Sequence, residues 1–131
     1  MTIEELSQYY YLRREITGYR EKIAGLEAKA TDISAKITGM PHASAAGDKI
    51  GRLATEAEYY RDILLKRMEY CNAELLKLTE YIAGCDDSLV RQILTYRFVE
   101  CMSWGQVAVK VGGGNTADSC RKRAKRFLQR N

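Results

Sequence analysis

The feature that most constrains this chain is a long hydrophobic seam. From Leu12 the apolar positions run Leu12, Ile16, Tyr19, Ile23, Leu26, Ala30, Ile33 and Ile37, in alternating steps of four and three. A spacing of this kind, held for over three heptads, belongs to a helix lying along a second helix. Charged residues such as Arg13, Arg14, Glu15, Glu21, Lys22 and Lys29 fill the positions between. Gly39 and Pro41 are expected to stop the helix, with residues 39–47, small and turn-like, reversing the chain. His42, the single histidine, falls in that expected loop.

A second seam follows: Ile50, Leu53, Ala57, Tyr60, Leu64, Met68, Cys71, Leu75, Leu78 and Ile82, with one longer step at Leu64–Met68 that locally relaxes supercoiling. Each segment is about 35 residues, roughly 50 Å of helix. Two such segments with a short break predict an antiparallel helical hairpin over residues 1–84, closed by Gly84. Two helices make a thin core, and Tyr9, Tyr10, Tyr11, Tyr59, Tyr60, Ile63 and Leu65 carry more apolar surface than one seam covers. The hairpin is therefore expected to have a partner, either a second copy of the chain or the C-terminal half. The tyrosines are read as packing residues.

Charge separates the two parts of the chain. Residues 1–83 hold 12 Lys/Arg and 13 Asp/Glu, whereas residues 84–131 hold 9 and 4, a net of +5. All of that excess lies in the last seventeen positions, where six basic residues face Asp118 alone. Such asymmetry points to a neutral structural part and a part that meets a polyanion.

The last third, residues 85–131, reads as three further helices. Asp86 and Asp87 suit a helix start, and Leu89, Ile93 and Tyr96, with Val90 and Leu94 beside them, form a broad apolar stripe. Cys101 and Met102 make a tight corner. Ser103-Trp104-Gly105-Gln106 is an S-x-x-Q capping box, predicting a short helix through Val111 with Val107, Ala108 and Val111 inward. Gly112, Gly113 and Gly114 end it, and Asn115 or Thr116 caps the last helix. At 100° per residue, Ala117, Cys120, Ala124, Phe127 and Leu128 share one face. Asp118, Ser119, Lys122, Lys125, Arg126 and Gln129 lie opposite, flanked by Arg121, Arg123 and Arg130. A short helix, a glycine turn and a basic amphipathic helix are the parts of a helix-turn-helix.

The run from Leu94 through Ala108, LTYRFVECMSWGQVA, resembles region 4 of bacterial sigma factors, whose pattern is L-x-x-R-F/Y-x-E-G-x-S-x-x-E/Q-I/V-A ahead of the recognition helix. Ser119-Cys120-Arg121 stands where that family has T-V-K/R, which puts Cys120 at the buried valine position. More narrowly, RFVECMSWGQVAVKVGGGNTADS is similar to small phage and prophage transcriptional regulators of the RinA/ArpU type. The resemblance covers about 45 residues, Asp86 to Gln129. Cys101 replaces the family's glycine at the corner, the turn of residues 112–115 is about two residues longer, and no other sigma region is present. The resemblance implies a last helix in the major groove of double-stranded DNA, with Thr116 at its cap. Ser119, Lys122 and Asp118 would face bases, and Arg121, Arg123, Lys125 and Arg126 phosphates. It also implies RNA polymerase as a further contact.

Other chemistries find no support. Cys71, Cys85, Cys101 and Cys120 are 14, 16 and 19 residues apart, with no C-x-x-C or H-x-x-x-H pair for a metal, so no metal or cofactor is expected. One histidine and no nucleophile signature argue against an enzyme. The three glycines lack the G-K-[ST] of a phosphate loop. There is no run of eighteen apolar residues and no basic-then-apolar leader, so a cytoplasmic bacterial setting, free thiols and no membrane contact are expected. The expectation is thus an all-α DNA-binding regulator that self-associates, most simply as a dimer. A small-terminase-like packaging protein and a protein-interaction adaptor acting through the hairpin are the alternatives.

Overall fold

The structure, a computed structural model, describes residues 1–37 and 43–130. Among them are five α-helices and no strand: α1 (Ile3–Ile37), α2 (Ala43–Ala83), α3 (Ser88–Leu94), α4 (Trp104–Val111) and α5 (Ala117–Arg130). A single π-helical turn, Thr95–Val99, continues α3. Gly39, Pro41 and His42 lie outside the described residues. The expected turn over residues 39–47 is too long at its far end, because Ala43 to Gly47 are already helical. The run Ala43-Ser44-Ala45-Ala46 is rich in the strongest helix former, which explains why smallness there does not mean turn.

The chain divides into two compact units. One is Arg14–Glu69, the middle of α1 with most of α2. Ile16, Ile23, Leu26 and Ala57 are its buried residues, and the Tyr19 and Tyr60 rings meet at 6.1 Å. Arg67 pairs with Glu15 and Arg61 with Glu27, so rising positions on α1 meet falling positions on α2. The two helices therefore run antiparallel here, as the paired seams predict.

The other unit is Met1–Arg13 with Tyr70–Asn131. The compact units are thus cut differently from the sequence segments 1–84 and 85–131. One core joins Leu6 of α1, Leu78 and Ile82 of α2, Val90, Ile93 and Leu94 of α3, Phe98 of the π turn, Val107 and Ala108 of α4, and Cys120 and Ala124 of α5. A piece of about 45 residues has too little interior to fold firmly alone, and the ends of both long helices supply the missing apolar surface.

Local chemistry sets each boundary in this unit. Thr2 and Glu5 cap α1 reciprocally, at 2.9 and 3.1 Å. Gly84 follows the last residue of α2, and Asp87 caps α3 by accepting from the Leu89 and Val90 amides. The π turn closes with the Glu100 amide donating to the Thr95 carbonyl at 2.9 Å. Its extra residue brings Phe98 into the core (4% exposed), where Leu89 and Tyr96 are only half-buried. Cys101 then turns the corner with φ 59°, in the left-handed region that favours glycine.

Candidate nucleic-acid interface

The elements that carry the basic residues are built from side-chain caps. The Ser103 Oγ accepts from the Gln106 amide at 3.2 Å, while Gln106 Oε1 accepts from the Ser103 amide at 2.9 Å, the expected capping box. Val107 and Ala108 are buried behind it and Val111 is half-buried. α4 stops at Gly112, whose φ of 63° and ψ of −149° are open only to glycine. Gly113 and Gly114 keep positive φ, and the Asn115 side-chain amide donates to the Gly112 carbonyl at 2.7 Å.

Thr116 rather than Asn115 caps α5. Its Oγ1 accepts from the Ser119 amide at 3.1 Å, and the Ser119 Oγ accepts from the Thr116 amide at 2.8 Å. The same Ser119 hydroxyl donates to the Thr116 carbonyl at 3.0 Å. Both hydroxyl residues expected at the interface are therefore committed to holding the start of the helix.

α5 sorts its residues as the 100° projection predicts. Cys120 and Ala124 are 0% exposed, Ala117, Phe127 and Leu128 are half-buried, and Phe127 meets the Tyr81 ring edge-on at 6.4 Å. Asp118, Arg121, Lys122, Arg123, Lys125 and Arg126 are all exposed. They do not behave alike. Asp118 draws Arg121 and Lys122 together, with Oδ1 2.6 Å from Arg121 Nη2 and Oδ2 2.9 Å from Lys122 Nζ. The Lys122 and Arg121 hydrogen bonds hold the Asp118 carboxyl below the ordinary aspartate value.

Arg123 points to the flank, 4.0 Å from Asp87 Oδ2 at the start of α3. Asp87 was visible in the sequence only as a cap; its second oxygen, facing another helix, had no local signal. Lys125 and Arg126 make no ion pair among the described residues. Along α5 the charge is thus compensated in the first turns and uncompensated beyond them.

Elsewhere in this unit, burial raises the Cys71 and Cys85 thiols above their ordinary values. Among the described residues no group of His, Cys, Asp and Glu side chains could hold a metal ion, and no helix is long and apolar enough to cross a membrane. No protein-family model, curated protein or solved structure matches the chain.

Proposed function

We propose that the chain is a sequence-specific double-stranded DNA-binding protein, a transcriptional regulator of phage or prophage type rather than an enzyme. In this reading α4, the glycine turn and α5 form a helix-turn-helix, with α5 in the major groove. The observation that carries it is the sorting of α5: six cations and one carboxylate are exposed, opposite or beside a stripe whose centre, Cys120 and Ala124, is fully buried. Cys101 in the left-handed conformation and Cys120 at a buried position also fit the sigma-region-4 pattern. Because Ser119 is held by the cap, base contacts fall to Arg121 and Lys122, and phosphate contacts to Arg123, Lys125 and Arg126.

The test is a full-length Lys125→Ala/Arg126→Ala double variant measured against duplex DNA across a salt series. Binding weakens, and the slope of log affinity against log salt flattens by about 1.8, at about 0.9 per phosphate lost. Unchanged affinity and slope overturn the proposal.

A self-association reading has its own support. In the Arg14–Glu69 unit, Tyr59 and Leu65 are 62% and 60% exposed on a two-helix body. That leaves apolar surface for a second copy. Sedimentation giving a dimer supports a two-headed reader; a much larger ring favours DNA packaging.

A further inference from the structure

One feature of α5 does not suit a helix that merely adheres to polyanions. Asp118 stands in its first turn with the carboxylate spread between Arg121 at 2.6 Å and Lys122 at 2.9 Å, all three side chains more than half exposed. An anion there repels phosphate and cancels part of the attraction of two cations. Stabilising the helix dipole does not by itself explain the geometry, since a first-turn aspartate serves the dipole without gripping both neighbours. The grip restricts where the two cations reach. An arginine fixed by a carboxylate keeps its remaining N–H groups for a planar acceptor pair such as guanine O6 and N7. The carboxylate itself can accept from the cytosine amino group and from no phosphate.

Building on the reading of α5 as a groove helix, we propose that Asp118 is a specificity-determining residue. It holds Arg121 and Lys122 toward base edges and off the phosphates, lowering affinity for DNA in general and raising the preference for a particular sequence. Released from it, both cations fall to the nearest phosphates.

The experiment compares the full-length protein with Asp118→Asn and Asp118→Glu. Two probes are used: a random-sequence duplex and the duplex that the unaltered protein selects from a random library. Asp118→Asn binds the random duplex about tenfold more tightly, and its salt slope steepens by about 0.9 for each cation released, about 1.8 for both. Its preference for the selected duplex falls about tenfold. Asp118→Glu, which keeps the charge, retains most of the preference. A carboxylate that only cancelled charge would also tighten binding on removal, but the preference for the selected duplex would stay unchanged. Unchanged preference in Asp118→Asn, or an unaltered protein that binds duplex without selecting any sequence, overturns the role of Asp118 while leaving DNA binding intact. Absence of any duplex binding overturns both.

Discussion

Arg13 places its Nη1 3.6 Å from the Sγ of Cys101, joining the first turns of α1 to the corner that precedes α4. The sulfur is presented from a backbone with φ 59°, where a side chain crowds its own carbonyl. Glycine escapes that crowding and alanine does not. Cys101→Gly is therefore more stable than Cys101→Ala by about 1 kcal/mol in urea denaturation, although both lose the contact with Arg13. Equal midpoints, or an advantage for alanine, would show that the corner carries no such strain.

Leu6 is fully buried in the same core as Cys120 and Ala124, while Ile3 on the preceding turn is 39% exposed. Leu6→Ala lowers unfolding stability by about 3 kcal/mol, and Ile3→Ala by less than about 1 kcal/mol. Thermal melts of the two variants check this directly. Similar shifts for both would detach the first turns of α1 from the core.

The Tyr81 hydroxyl is buried with no hydrogen-bond partner among the described residues, and burial raises its pKa above the ordinary phenol value. Its ring packs edge-on against Phe127. Tyr81→Phe keeps the ring and removes the unsatisfied oxygen, so the variant gains about 1 kcal/mol. A loss of that size in denaturant titration would mean the hydroxyl has a partner in solution.

Asp118 titrates below its ordinary value of 3.8, first through Lys122 and then through Arg121. A depressed folded-state pKa means that its contribution is present above the unfolded value and disappears as pH falls through the folded one. Carbon-detected NMR of the side-chain carboxyl gives a midpoint under 3.8 in the unaltered chain. Lys122→Ala moves that midpoint upward, and Lys125→Ala leaves it in place. A midpoint at or above 3.8 in the unaltered chain would remove the pairing seen at 2.6 and 2.9 Å.

What was legible in the sequence follows the range of the forces involved. Every described seam position is buried or half-buried, from Leu12 to Ile33 and from Ile50 to Ile82, because helical periodicity depends only on neighbours along the chain. The Ser103–Gln106 box and the two faces of α5 were readable for the same reason. Leu6 was not, since its partners are far away in sequence and three consecutive tyrosines hide the pattern ahead of Leu12. Phe98 was missed as a core residue because a regular 100° projection has no place for the extra residue of a π turn. On α5 the exposure of the basic side chains was readable from the 100° projection. Their division into paired and unpaired ones depended on rotamers, as did the diversion of Ser119 into the cap.

The shared core of Leu6 and Ala124 also governs how the chain can mature during synthesis. Leu6 must wait for a partner made more than a hundred codons later. The antiparallel segment Arg14–Glu69 contains both of its own helices and can close early. Leu6, Leu78 and Ile82 lack part of their cover until α5 leaves the ribosome. A nascent chain arrested in the glycine turn would therefore display an adhesive apolar surface to chaperones, and codons that slow elongation there would lengthen its exposure.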